Sequence, residues 1–335
     1  MADVAHEAGV SVASVSNFLN KQPYMSEAMA ARIAEAIDRL GYKVNSSARN
    51  LRSGRTRLLK LVIPDLRQVY FSELAEDILA EARQHGYGVI VESTTNNRAR
   101  ELESIASMGT HSADGLILSP LMMTVDDIAA LDGDYPLVLL GERLFGVNAP
   151  HVVIRNREGA AAATYHLLDA GCRRVVGAVP HPEHDFSSGS IRTHGYREAL
   201  AARDIPCDDS LLIETQGWGS ADGLAAVDTM LESGLQFDAV FALNDLLAWG
   251  VLRELRERGV AVPDDVRVIG FDDVEESAYM VPSLSTVNPG REAIARLAVE
   301  SIIQQVESGS RAPAQTIEAP YSLSLRESSP ALACA

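Results

Sequence analysis

From residue 58 onward, short runs of aliphatic and β-branched residues alternate with amphipathic helical stretches, and this alternation limits the fold more than any other feature. The strand-like runs lie at 59–63, 88–92, 115–118, 137–140, 175–179, 211–214, 239–242 and 266–271. Between them lie helical stretches such as 72–85, 157–170, 192–202, 220–231 and 244–258. Gly86, Gly171 and Gly259 stand at helix ends, where a positive φ is needed. Strands separated by crossover helices build parallel sheets covered on both faces. Eight such strands exceed one open sheet with a ligand crevice, and the run breaks near 150–157. The expected fold class is therefore α/β, with a two-lobed body of parallel sheets flanked by helices. Lobe 1 is expected at about 58–153 and 288–312, lobe 2 at about 154–287 and 313–328. Ligands in such folds sit beyond the carboxyl ends of the strands, here in the cleft between lobes.

The first residues follow a different rule. Residues 3–8 read as a helix, Gly9-Val10-Ser11 as a tight turn, and 12–19 as a second helix capped by Ser11. A loop with Pro23 follows, then a third helix over 27–40, capped by Ser26 and ended by Gly41. A cap hydroxyl accepts from the free N–H groups of the first turn, and glycine closes the last turn in the left-handed region. Ala30, Ile33, Ile37 and Leu40 share one helical face, and with Val4, Ala5, Val15 and Leu19 they are expected to form one small core. Residues 45–57 contain only Ala48 and Leu51 as apolar side chains and cannot bury a face of their own. The expected domains are a helix-turn-helix head at 1–44, a hinge at 45–57 and a ligand-binding body at 58–335.

Charge divides along the same boundary. The net charge is −17, yet residues 1–57 carry eight Lys/Arg against five acids, so the remainder carries −20. Five bases and no acid lie between Lys43 and Arg57. A basic end on an acidic body directs phosphates to one end only, although a solvated basic linker would have the same composition. No run of about 18 apolar residues marks a membrane span. The start, Met-Ala-Asp-Val-Ala-His-Glu, has no basic and apolar leader. Three scattered cysteines, Cys172, Cys207 and Cys334, give neither a disulfide framework nor metal spacing. The expected location is the cytoplasm. His181-(x)2-His184-Asp185 lacks a third histidine and reads as a loop. Gly217-(x)-Gly219-(x)3-Gly223 has the wrong spacing for a dinucleotide site, and no nucleophile elbow or phosphate loop is present. No cofactor, metal or catalytic residue is expected.

Asp3-Val4-Ala5-(x)3-Gly9-Val10-Ser11-(x)2-Ser14-Val15-Ser16-(x)2-Leu19-Asn20 closely resembles the head of the lactose/galactose-repressor (LacI/GalR) family. So does Leu40-Gly41-Tyr42, followed by Asn45-(x)2-Ala48-Arg49-(x)-Leu51-Arg52-(x)-Gly54-Arg55-Thr56. In the body the resemblance runs through Ile63-Pro64-Asp65, Tyr70-Phe71, Arg192-(x)2-Gly195-Tyr196, Ala242-Leu243-Asn244-Asp245 and Gly270-Phe271-Asp272-Asp273. It ends with Pro282-Ser283-Leu284-Ser285-Thr286-Val287 and Leu323-(x)2-Arg326-(x)-Ser328. The resemblance implies a body like that of periplasmic binding proteins and a sequence-specific transcription regulator, by default a repressor relieved by a sugar, although some members of the family require the effector as corepressor.

The resemblance also implies roles. The second helix enters the major groove. Ser11, Ser14, Ser16 and Asn20 bond phosphates, with capping an equal claim on Ser11. Val12, Ala13 and Asn17 face base edges; Asn17 can pair with adenine, while the two apolar residues touch methyl groups. The family often has a basic residue where Asn17 stands, and a few residues before Asp3, including a hydroxyl residue that caps helix 1 and touches phosphate; here either the start is truncated or the free amine substitutes. In the hinge, a helix over about 46–52 would form on operator DNA. Leu51 would wedge into the minor groove, and Arg49, Arg52 and Arg55 would neutralise phosphates. Without the motif, Leu51 is a lone hydrophobe in a linker. Val44 stands where the family often has proline.

In the cleft, Arg192, Asn244 and Asp272 would hold vicinal hydroxyls, and Trp218 would stack on the sugar. Tyr70 and Phe71 would line the other lobe, where core packing explains them equally well. The expected partners are double-stranded operator DNA, a carbohydrate effector and a second copy of the chain, since each half of a pseudo-palindrome needs one head. No heptad segment follows Ser328, so a tetramerising coiled coil is not expected. A solute-binding protein and a cleft enzyme are the other classes; the basic head opposes the first, and no nucleophile–base pair supports the second.

Overall fold

The computed structural model describes residues 1–19, 25–42, 55–110, 112–144, 146–180 and 187–331. The chain forms two compact units, Met1–Thr56 and Arg57–Ala335.

In the first unit, helices α1 (Ala2–Ala8), α2 (Val12–Leu19) and α3 (Glu27–Leu40) surround a core of Val4, Ala5, Ala8, Val15, Ile33 and Ala36. Gly9 takes φ 63°, which lets the chain turn between α1 and α2. Ser26 caps α3 by accepting the Met29 N–H, and Gly41 ends it at φ 56°. The expected Val4, Ala5, Val15 and Ile33 lie in this core, and the expectation departs at two positions of α3. Ala36 is buried, whereas Leu40 is 45% exposed and Ala30 does not join the cluster. The apolar face of α3 therefore turns inward around Ile33 and Ala36, with Ile37 and Leu19 half-buried against the same core.

The second unit holds two six-stranded sheets. The first has the order β11-β5-β4-β3-β1-β2, with β1 Leu58–Ile63, β2 Gly88–Ser93, β3 Gly115–Leu118, β4 Leu137–Leu140, β5 Pro150–Val153 and β11 Gln315–Glu318. The second has the order β12-β10-β9-β8-β6-β7, with β6 Val175–Pro180, β7 Leu212–Thr215, β8 Ala239–Ala242, β9 Arg267–Phe271, β10 Ser285–Asn288 and β12 Ser322–Ser324. Every strand pair is parallel except β10–β12. Apart from the last edge strand, the two sheets repeat one order, so each lobe is the same doubly wound unit.

Helices α4 (Val69–Gln84) and α5 (Arg98–Ala106) belong to the first lobe. In the second lobe are α6 (Asn156–Asp169), α7 (Ser188–Ala201), α8 (Ser220–Glu232) and α9 (Asp245–Glu257). Alternate strand residues point to opposite faces. Thus Leu59, Leu61 and Ile63 join one cluster of the first sheet while Val62 joins the other. In the second sheet, Val240 and Val268 oppose Phe241 and Ile269 in the same way. The C-terminal helix α10 (Arg291–Ser308) returns to the first lobe, where Ile294, Ala298 and Ile302 complete the cluster against α4.

The chain passes between lobes three times: from β5 into α6, from β10 into α10, and from β11 to β12. The third passage departs from expectation. The sequence places residues 313–328 in lobe 2, but Gln315–Glu318 pairs in parallel with β5 of the first sheet, so the crossing comes after it. In the second passage Gly290 has φ 75°, and a Cβ there would lie 2.1 Å from the Pro320 carbonyl oxygen of the third. These two passages touch where only glycine fits.

Candidate functional site: a helix face and an inter-lobe cleft

In the head, Ser11, Val12, Ala13 and Asn17 are exposed, Ser14 and Ser16 half-buried, and Val15 buried. Val12, at 47% exposure, is an apolar side chain presented to solvent by a helix that carries no charge. The Ser11 hydroxyl accepts the Ser14 N–H at 3.1 Å and lies 2.9 Å from the Ser14 hydroxyl, so its capping role is present. Asn20, Arg49, Leu51 and Arg52, with the rest of the expected hinge helix, lie outside the described residues. So do His181, His184 and Asp185.

The cleft is built at strand carboxyl ends. β9 delivers Asp272, β8 delivers Asn244, and α7 brings Arg192 toward both. The Arg192 guanidinium is buried; its centre lies 3.6 Å from the Phe271 ring centroid and its Nη2 is 3.5 Å from an Asp272 carboxylate oxygen. Its Nε donates to Asn156 Oδ1 at 2.7 Å, and Nη1 donates to the Leu243 carbonyl. Burial pushes the Asp272 carboxyl up to about 7 despite the opposing pull of Arg192, and Glu73 adds to the rise. Asp272 also holds φ 121°, a conformation rare for a side chain with a Cβ. Such strain persists where the surrounding structure holds it, often at a functional site.

Asn244 makes two hydrogen bonds within its own lobe. Its Oδ1 accepts the Leu247 N–H at 2.9 Å and caps α9, and its Nδ2 donates to the Trp218 carbonyl at 3.0 Å. It thus fixes the Trp218 segment against the start of α9, and Trp218 packs against both hydrophobic clusters of the second lobe. From the first lobe, Tyr70 and Phe71 meet edge-on at 5.3 Å and 71° and pack against the core, the second of their two expected uses. Burial and the nearby Asp272 raise the Tyr70 hydroxyl above its ordinary value, while Arg192 opposes them. A cavity of about 250 Å³ opens beside Asp272, lined also by Asp273, Asn288, Gly290, Arg291 and Glu292. Of the six expected ligand residues only Asp272 lines it.

Comparison with known proteins fits this arrangement. Residues 1–45 match the model of bacterial regulatory proteins of the lacI family, and residues 164–329 match a periplasmic binding protein-like domain. The HTH-type transcriptional regulator AscG of Escherichia coli strain K12 is 32% identical over 328 residues, 94% of each chain. The chain belongs to the lacI family. The structure of a LacI-family transcriptional regulator from Sanguibacter keddieii superposes with a TM-score of 0.76 at 40% identity, covering 82% of this chain and 99% of that one. The complex of the regulator CelR with cellobiose gives 0.71 at 26% identity, covering 97% and 98%. As in its lacI-family relatives, the protein is a DNA-binding transcription regulator, not an enzyme.

Several residues at the cleft of this lacI-family protein were not singled out from sequence. Asp245, fully buried, accepts from Thr286 Oγ1 at 2.5 Å, Ser277 Oγ at 2.8 Å and the Val274 N–H at 3.1 Å, and so pins the segment after β9. Burial, then the Asp272 charge, raises its pKa well above the ordinary carboxyl range. Glu73 of α4 accepts the Glu275 N–H at 2.9 Å and pairs with Arg291, which also binds Asp77 at 2.7 Å. Glu142, two residues beyond β4, accepts from Asn156 Nδ2 at 2.9 Å and from the Ile154 N–H at 3.2 Å. The rule that a carboxylate at the end of an apolar strand is functional, applied to Asp272, picks out Glu142 as well. Asp273, by contrast, is occupied by Arg326, Asn288 and Ser324. The C-terminal motif residue Arg326 therefore braces the strand end.

Proposed function

We propose that the cleft binds a small hydroxylated ligand, a carbohydrate, and that its occupancy sets the affinity of a dimeric protein for operator DNA. The observation that carries this reading is Asp272, a nine-tenths buried carboxylate on a strained backbone, beside a buried arginine and a cavity of about 250 Å³. A carboxylate accepts from two neighbouring hydroxyls, and a guanidinium donates to ring or hydroxyl oxygens. In this reading Trp218, Tyr70 and Phe71 offer the ligand apolar faces. The cellobiose complex of the CelR relative supports the ligand class.

In this reading Ser11, Ser14, Ser16 and Asn20 hold phosphates, and Val12, Ala13 and Asn17 face bases. Arg49, Leu51 and Arg52 act in the minor groove from the hinge. Two heads on a pseudo-palindrome require a homodimer, and the default output is repression relieved by ligand. The test is a thermal-shift screen over sugars and nucleobases with the parent chain and Asp272→Ala. A ligand at 100 times its Kd stabilises a single-site protein by about 2.7 kcal/mol, so the parent should shift with a sugar and the folded variant should not. A shift retained in Asp272→Ala, or confined to nucleobases, refutes the reading.

A further inference from the structure

The Asn156 amide sits between two groups of opposite hydrogen-bonding character. Its Nδ2 donates to Glu142 Oε1 at 2.9 Å, and its Oδ1 accepts Arg192 Nε–H at 2.7 Å. A carboxylate only accepts and a guanidinium only donates. An amide satisfies both at once without carrying a charge, and this fixes which way it faces. Asn156 is 2% exposed and Arg192 4%, so neither bond is replaced by bulk water.

The three residues also come from different parts of the body. Glu142 belongs to the first lobe, just past β4. Asn156 is the first residue of α6, directly after the first passage between lobes, and Glu142 Oε1 also accepts the N–H of Ile154 in that passage at 3.2 Å. Ile154 packs against clusters of both lobes. Arg192 lies on α7 and faces Asp272 across 3.5 Å. A continuous chain of polar contacts thus runs Glu142–Asn156–Arg192–Asp272, from one lobe through the connection into the other.

We propose that Glu142 and Asn156 are positioning residues of the cleft: they hold the Arg192 guanidinium toward Asp272 and tie its orientation to the first lobe. A ligand that draws Arg192 away from Asp272 then pulls on the connection between lobes. This role rests on the reading of the cleft as the effector site, but its test needs no effector, so the two can fail separately.

The test exploits the donor–acceptor order. Asn156→Asp keeps an acceptor for Arg192 but places a second carboxylate against Glu142. Glu142→Gln/Asn156→Asp restores a donor at 142 and an acceptor at 156, reversing the polarity of that bond, and leaves the amide oxygen introduced at 142 to accept the Ile154 N–H in place of the carboxylate. Amide hydrogen exchange is followed by mass spectrometry on ligand-free full-length protein. Asn156→Asp should accelerate exchange about tenfold, the scale of one lost charged hydrogen bond, both after β4 and in the first turns of α7. The double variant should return both segments to within about twofold of the parent, well inside that tenfold scale. If Asn156→Asp does not fold, recovery of a parent-like pattern by the double variant supports the proposal equally. Acceleration confined to the first turn of α6, no acceleration, or a double variant no better than the single one overturns it.

Discussion

At Asp272 three independent facts converge: burial, a positive φ and a guanidinium neighbour. Burial raises the carboxyl to about 7. Because the folded value lies above the ordinary one of about 3.9, the folded state binds the proton more tightly. This group's contribution to stability is therefore greatest below the unfolded value and is lost as pH rises to about 7. Asp272→Asn should flatten that part of the stability–pH curve, read from urea midpoints between about pH 4 and 7; an unchanged slope would locate the titration elsewhere. A ligand that needs the ionised carboxylate should also weaken about tenfold per unit well below pH 7, as titration calorimetry can measure. The residue scale was also where the sequence was most legible. Asp272 and Arg192 follow from strand-end position and motif, whereas the Asn244 bond to the Trp218 carbonyl and the Asn156 bridge depend on partners 26 and 36 positions away.

Among the elements, all eight expected strands are present, with ends displaced by a residue or so. Four were not legible: Pro150–Val153, Ser285–Asn288, Gln315–Glu318 and Ser322–Ser324. The first opens with proline, and the last two are short edge strands with no apolar period. Gln315–Glu318 shows mainly exposed side chains, and its pairing with β5 is set by a non-local contact that no local pattern encodes. The helix packing was hidden for a similar reason. A Cβ at Gly195 would lie 2.1 Å from the Arg157 carbonyl oxygen, so α6 and α7 approach through this residue. Gly195→Ala should destabilise the body by about 1–3 kcal/mol, the usual cost of overpacking, measurable by denaturant unfolding. In the head, Ser11→Ala removes the cap of α2 and should cost about 1 kcal/mol. Loss of operator affinity beyond that would reveal an additional phosphate contact.

For the whole molecule, one doubly wound unit occurs twice, and the chain crosses between the copies three times. Such a body can close or open about its connections while each sheet stays rigid. Gly290, packed on Pro320 at a positive φ, is the tightest point among them. Gly290→Val should separate the second and third passages and change the lobe angle, visible as a changed radius of gyration in small-angle scattering; an identical scattering curve would show that the connections tolerate a side chain there.

The account stands on linkage between the cleft and the head, and reciprocity makes it measurable. A duplex enriched by random-site selection with the full-length protein is titrated with and without a sugar that raises its melting temperature, and the sugar is titrated with and without the duplex. The account predicts that the sugar changes operator Kd by about 5–150-fold, and that the operator changes sugar Kd by the same factor. A sugar that binds tightly yet leaves operator Kd unchanged would contradict it.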